Sequence, residues 1–402
     1  MSADSAPNEF GARLRELREA PPYWSRSDLA RRIRETAHPD DEIPHVASLV
    51  ASIKQWESGQ HVPGRKYRPL LARALGSSEA GLWNNDAAAA SPLLPSLPPE
   101  NVAGGDYVAA LRESCQALVT LDNTVGGTAL VPVAVRLVSR AHAYLASGRH
   151  LPQVEHDLEA AVGEAGEIAA WLAYDADQQE LSRRLINEAL TVSRLAGDRA
   201  GELLGLSHLA MQSIYLRRSR EALKIADRVL GGQRLSGRTT ALFRIRQARA
   251  LAQLGDLPAA RDALRHAEAL IYAGTDAKDP AWTWWIDPHE LMWHRAMCHA
   301  DTGQWEHAVE AAATTVETCR PGGARCAFND HAHFLAALVH AHAWQEAEPV
   351  VAKLIDQASE VGSARTENLL RHLTDRITVT KGPSSTLTDS AEHLRQTLSA
   401  TA

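Results

Sequence analysis

The chain has 402 residues, more than one compact core accommodates, so two or more domains are expected. A net charge of −7 excludes a globally basic nucleic-acid binder, and no run of roughly 18 apolar residues offers a membrane-crossing helix. A hydrophobic content of 45%, few aromatics and an excess of Ala and Leu over Val and Ile point to an all-α fold, because straight side chains lose little rotamer freedom in a helix.

The charge is unevenly spread. From Asn8 to Gly76 there are twelve cationic and nine acidic side chains, a net of +3, which leaves −10 for the remainder. Of the 42 cationic residues 36 are arginine, a skew that a GC-rich genome explains more simply than phosphate contacts do. Cys115, Cys298, Cys319 and Cys326 are scattered without CxxC spacing, which suits a reducing compartment. The polar start, Met1 to Asn8, carries no secretion signal, so the expected location is cytoplasmic.

In chain order, the first 75 or so residues predict five short helices, with residues 8–85 as one domain. Phe10, Leu14 and Leu17 recur at helical spacing until Pro21 and Pro22 end the first helix. Ser25 or Ser27 caps the second, whose apolar face is Leu29, Ala30 and Ile33. After the acidic loop HPDDEIP a third helix runs from about Ser48 to Glu57, burying Leu49 or Val50, Ile53 and Trp56 and ending at Gly59. Tyr67, Leu70, Leu71 and Leu75 mark the fourth, and Leu82 with Trp83 a short fifth. Residues 86–106, rich in Ala, Pro and Gly, read as a semi-rigid linker.

Residues 107–377 show self-similarity at intervals near 40, the mark of stacked helix pairs. Small residues twelve apart let the two helices of a pair approach: Ala210 with Ala222, Ala248 with Ala260, Ala296 with Ala308, the last two around turns at Gly255 and Gly303. The aromatic run WTWWIDPHELMW, with Trp282, Trp284, Trp285 and Trp293, sits in an expanded connection and predicts a stiffened packing corner, the alternative being a ligand wall. Residues 378–402 are expected to be a mobile tail or a loosely attached helix.

The stretch SLVASIKQWESGQHVPGRKYRPLLARALG, with Ile53, Trp56, Glu57, Gly59, Pro63 and the Leu71 to Gly76 helix end, resembles the phage-repressor-like (lambda-repressor-like) helix-turn-helix family, the Xre family. AAWLAYDADQQELSRRLINEALTVSRLAGD, MQSIYLRRSREALKIADRVL and VGSARTENLLRHL resemble the tetratricopeptide repeats that bacterial regulators pair with such a head. Together the two resemblances cover nearly the whole chain. They imply a five-helix DNA-binding domain followed by a tetratricopeptide-like α-solenoid, acting as a homodimeric transcription regulator on a palindromic double-stranded operator.

Residue by residue, the resemblance places Arg26 on phosphate and Val50, Ala51, Ser52, Lys54 and Gln55 at the bases, with Val50 and Ala51 departing from the usual polar pair. Arg65, Lys66 and Arg68 follow on phosphate. Arg18 and Glu57 form a pair that fixes the recognition helix rather than touching DNA. TAHPDDEIPH replaces the family's tight turn, and its Asp40, Asp41 and Glu42 are expected to point away from the duplex.

In the repeats, polar side chains on the first helix of each pair are expected to line a groove for a peptide or small-molecule effector: Asn187, Gln212, Tyr215, Arg246, His294 and Asn329. No metal site or cofactor is expected. In HELMWH the histidines are five apart, about 140° around a helix, and His331, His333, His340 and His342 read as solvated or hydrogen-bonded. With no GxxxxGK[ST] loop and no Ser-His-Asp signature, an enzyme has no site to stand on. The alternative function is a protein-docking scaffold whose front domain no longer binds DNA.

Overall fold

A computed structural model describes residues 6–19, 24–37, 43–64, 66–75, 94, 104–232, 234–319 and 323–400. Among these are eighteen α-helices, two short 3-10 turns and no β-strand. None of the helices is long and apolar enough to cross a membrane. The chain divides into two compact units, residues 1–114 with 132–155 and residues 115–131 with 156–402. The division passes through the two helices that follow the expected linker, α5 (Gly105–Val125) and α6 (Val131–Ala146). Of that linker, the structure describes Leu94, which is buried, and residues from 104 onward, where Gly105 already opens α5.

The first unit begins with α1 (Ala6–Glu19), α2 (Arg26–Glu35), α3 (Val46–Glu57) and α4 (Tyr67–Ala74). Ser25 is the cap of α2: its hydroxyl accepts from the Asp28 amide while the Asp28 carboxylate accepts from the Ser25 amide, so two orphan donors are satisfied reciprocally. α3 starts at Val46, two residues before the expected Ser48, and ends at Gly59 in the left-handed region (φ 73°). There Gly59 N donates to Trp56 O and Gln60 N to Gln55 O, which satisfies carbonyls the helix leaves open. Phe10, Leu14, Leu29, Ala30, Ile33, Leu49, Ile53, Trp56, Leu70 and Leu71 form one core. A Cβ at Gly11 would stand 2.6 Å from Trp56 O, so only glycine lets α1 approach the end of α3 this closely. The expected fifth helix at Leu82 and Trp83, the acidic run Asp40 to Glu42 and the phosphate candidate Arg65 lie outside the described residues.

The second unit holds α7 (Glu155–Asp175, whose Glu155 still counts with the first unit), α8 (Gln179–Leu195), α9 (Arg199–Tyr215), α10 (Ser219–Leu230), α11 (Gly237–Gln253), α12 (Leu257–Tyr272), α13 (Pro288–Asp301), α14 (Trp305–Glu317), α15 (Ala324–Ala341), α16 (Trp344–Ala358), α17 (Ala364–Val379) and α18 (Ser385–Ala400). From α8 to α16 each helix packs on its sequence neighbours, and α9 also packs on α11, α11 on α13 and α15 on α17. The alanines at 210, 222, 248, 260, 296 and 308 are all buried where helices meet.

One turn closes α7, α9, α11, α13 and α15 alike, and Gly197 (φ 61°) makes it a sixth time after α8, with Asp198 N donating to Ser193 O. Asp177, Arg217, Gly255, Gly303 and His342 all have φ between 57° and 86°. In each case the next amide donates to a carbonyl five residues back: Gln178 to Ala173, Arg218 to Ser213, Asp256 to Leu251, Gln304 to His299, Ala343 to Leu338. These five turns are about 40 residues apart, except for the longer step from Gly255 to Gly303, which contains the aromatic connection.

Of the two expectations for the tail, the structure has the helix, and it is packed rather than loose. Residues 385–400 form α18, which packs on α16 and α17 with Leu387, Ala391, Leu394 and Leu398 fully buried. Their spacing of four, three and four puts all of them on one helical face, which gives the segment an apolar stripe to bury.

Candidate functional site

In the first unit the candidate site is the outer face of α3. Ala47, Ser48, Ala51, Lys54, Gln55 and Ser58 are exposed, while Leu49, Ile53 and Trp56 on the opposite face are buried. Residues 51, 54, 55 and 58 follow helical spacing and so share one side. Of the expected base-reading set, Lys54 and Gln55 stand in this row. Val50 and Ser52 are half-buried at its edge, and the Ser52 hydroxyl donates to Ser48 O at 3.1 Å. Beyond the helix Lys66 is exposed and Arg68 half-buried. Trp56 belongs to the core, its ring centroid 5.3 Å from that of Tyr67.

The helix is held from behind by charge. Arg18 Nε donates to Glu57 Oε1 at 2.5 Å, and Glu57 is only 5% exposed. Burial alone would lower the pKa of Arg18, but the Glu57 carboxylate outweighs it and holds the guanidinium above its ordinary value. Arg26, expected on phosphate, is bonded to the same carboxylate: its Nε and Nη2 both lie 2.7 Å from Glu57 Oε2. The sequence offered one partner for Glu57; the fold supplies three, Arg18, Arg26 and, at 3.9 Å, Arg15, because α1 and the start of α2 both pass the end of α3.

In the second unit the groove candidates sort differently. Asn187 is exposed on α8. Gln212 is fully buried and donates to Gln179 O at 2.6 Å. Arg246 and His294, 2% and 3% exposed, touch each other, with Nη1 2.9 Å from Nε2. Tyr215 donates to Asp177 at 3.0 Å, and Asn329 accepts from Arg365 Nη2 at 3.3 Å. Arg246, His294 and Gln212 therefore do not line an open groove, and that expectation is corrected: they are sealed inside a polar network of the chain's own side chains.

That network includes residues that the repeat pattern did not single out. Tyr174 lies between the Arg365 guanidinium, 5.0 Å from its ring, and the Tyr215 ring at 5.4 Å. Arg249 pairs with Asp301 at 3.0 Å and reaches toward Trp293 and His294 Nδ1. Asp175, fully buried, accepts from the Ser363 hydroxyl at 2.9 Å, from Arg365 at 3.3 Å and from the Gly127 amide at 3.3 Å. These links span up to 190 residues of sequence, so no local pattern announces them.

Burial pushes His294 down to about 4 and His333 to about 3, which keeps both imidazoles neutral among the arginines. In a neutral His294 whose Nδ1 accepts from Arg249, Nε2 donates to Glu290 Oε1 at 3.0 Å, and the 2.9 Å approach of Arg246 Nη1 to the same nitrogen is then a contact without a hydrogen bond. His289 and His294 of HELMWH have different partners, Asp330 and Glu290. In the aromatic run, Trp282 donates to Ala200 O at 3.1 Å and packs with Trp285 against buried residues, Trp284 is 60% exposed, and Trp293 faces the network. No family model, curated protein or solved structure matches this chain.

Proposed function

We propose that the chain is a cytoplasmic, sequence-specific DNA-binding transcription regulator, with α3 as the helix that enters the major groove. The observation that carries this reading is the exposed row of Ala51, Lys54, Gln55 and Ser58 on a helix whose other face is buried and whose end is fixed by Arg18 and Arg26 on Glu57. A lysine, an amide and small neighbours on a rigid, protruding face suit base-edge readout, and the net +3 of residues 8–76 suits the phosphate backbone. One such helix reads half of a palindrome, so the active form in this reading is a homodimer.

The five equivalent turns and the helix packing support taking the second unit as a tetratricopeptide-like α-solenoid. In this reading it mediates dimerisation and answers to a peptide or small-molecule effector. The effector acts by changing the closed polar interior rather than by lying in a preformed groove. Arg246, which among the described residues meets the Ser207 hydroxyl and the His294 imidazole and feels the Glu290 carboxylate beyond, is the group on which an anionic effector would act.

The test is selection of duplexes from a random library by the full-length protein. An inverted repeat should be enriched, bound in a salt-sensitive way, and lost selectively on Lys54→Ala with Gln55→Ala, by roughly 5- to 150-fold for one good bidentate contact. Arg26→Ala should weaken binding without changing the salt slope, since its guanidinium is engaged by Glu57. Equal affinity for random duplex, or none, would support the protein-docking alternative.

A further inference from the structure

Cys319 and Cys326 are seven positions apart and His289 is thirty positions upstream of Cys319, yet the fold brings them to one point with Asp330. One donor atom from each of these four residues lies within 4.8 Å of every other. Cys326 and Asp330 are one helical turn apart on the same face of α15, and the Cys326 thiol donates to Asp330 Oδ2 at 3.6 Å. His289, in the first turn of α13, places Nε2 2.9 Å from the same oxygen. Cys319 follows the last turn of α14 and lies in hydrogen-bond contact with Cys326. Three helix ends thus contribute one convergent set of two sulfurs, one imidazole nitrogen and one carboxylate.

A separate observation asks for a cation there. Asp330 is 1% exposed, and its Oδ1 has no hydrogen-bond partner. Other buried aspartates of this unit face arginine, Asp122 with Arg325, Asp175 with Arg365 and Asp301 with Arg249. Among the described residues Asp330 is paired only with His289. A carboxylate withdrawn from water needs its charge met, and a half-satisfied one is costly.

We infer that His289, Cys319, Cys326 and Asp330 form a structural site for one zinc-class divalent cation. Two thiolates, an imidazole and a carboxylate match the preference of Zn(II) for four N, S and O donors. A tetrahedral Zn(II) spaces its donors by about 3.3–3.8 Å, given metal–ligand bonds of about 2.0–2.3 Å. The 4.8 Å span closes to this with small side-chain shifts, while the 2.9 Å contact opens slightly. With four protein ligands the site is closed to substrate, and its role is to fix α13, α14 and α15 in register.

That register bears on the polar interior at two points. His289 precedes Glu290, which holds His294, and Asn329, which holds Arg365, precedes Asp330. The cation therefore anchors the backbone from which both interior contacts project. The inference does not rest on DNA binding and survives its failure.

The experiment uses the full-length, reduced protein, stripped with a chelator and titrated with Co(II) and then Zn(II). One cobalt per chain should bind with the visible bands of a tetrahedral centre and a thiolate-to-cobalt charge-transfer band in the near ultraviolet. Zinc should displace it and raise the melting temperature. Cys319→Ser and Cys326→Ser should each weaken the charge-transfer band, while Cys298→Ala should leave it unchanged. Since a variant can fail to fold, the unmodified chain decides: no stoichiometric metal, or cobalt bound without the sulfur band, overturns the site. So does a chain purified anaerobically whose mass is two hydrogens lighter, with Cys319 linked to Cys326.

Discussion

His294 is a base that its surroundings keep from being one. Burial is the main cause of its depressed pKa, and Arg246 and Arg249 add to it, while Glu290 pulls the other way. The sign of the resulting pH dependence follows. In the unfolded chain the imidazole takes a proton near pH 6.5, and in the fold only near pH 4. Between those values the unfolded state holds more protons, so this contribution is complete above pH 6.5 and is lost as pH falls through 4. His294→Gln should be less stable than the parent at pH 7, and its stability should fall less steeply between pH 6.5 and 5, by up to about 1.4 kcal/mol per pH unit. The comparison matters because Asp122, Glu167 and Glu367 titrate above their ordinary range through burial and work in the opposite sense. Denaturant melts of both proteins across that window check it, and parallel profiles would contradict it.

At the scale of the element, the five left-handed turns show what the sequence revealed and what it hid. Gly255 and Gly303 were legible because glycine at a helix end is cheap in that conformation. Asp177, Arg217 and His342 make the same turn with side chains that disguise it, so the periodicity was visible from the alanines rather than from the turns. In the head, local pattern was enough: Leu14, Leu29, Ile33, Leu49, Ile53 and Trp56 were expected in the core and are buried there. The tail was expected to be mobile or a loose helix, and the tight packing of α18 stayed hidden because its polar residues surround a stripe of only four apolar ones. The interior network and the metal-ligand set were illegible for a different reason, since their members meet across tens to nearly two hundred residues. Equivalent turns also make a prediction of opposite signs. A Cβ at Gly303 meets nothing within 4 Å, so Gly303→Ala should cost only its backbone strain, roughly 1–2 kcal/mol. His342→Gly relieves the same strain and should stabilise by about 0.5–1 kcal/mol, less the ring contact with Trp344. Urea midpoints of the two variants against the parent test both, and equal signs would show that the turns are not equivalent.

Within the second unit, the segment at 125–128 is fastened to the start of α17, 236 residues later. Gly362 N donates to Val125 O at 2.8 Å, Thr128 N donates to Gly362 O at 3.1 Å, and Ala364 N donates to the Thr128 hydroxyl at 3.2 Å. Asp175 strengthens the junction by accepting from Gly127 on one side and from Ser363 and Arg365 on the other. Such a contact carries a large loop-closure cost, so it stands only while its geometry is kept. Gly126 decides that geometry: its φ is +81°, and a Cβ there would be 2.4 Å from Gly362 O, an overlap with backbone that no rotamer change relieves. Gly126→Ala should therefore part the two segments rather than merely strain them. Hydrogen exchange should show the Thr128 and Gly362 amides losing protection together, while amides in α11 and α12, which pack on each other away from the junction, keep theirs. In the proposed reading this variant should also bind an enriched operator with the parent's affinity yet no longer answer the effector, because α1 to α4 are built around a core of their own. Unchanged exchange at Thr128 and Gly362 would mean that the junction tolerates the methyl group, and that the closure does not depend on glycine.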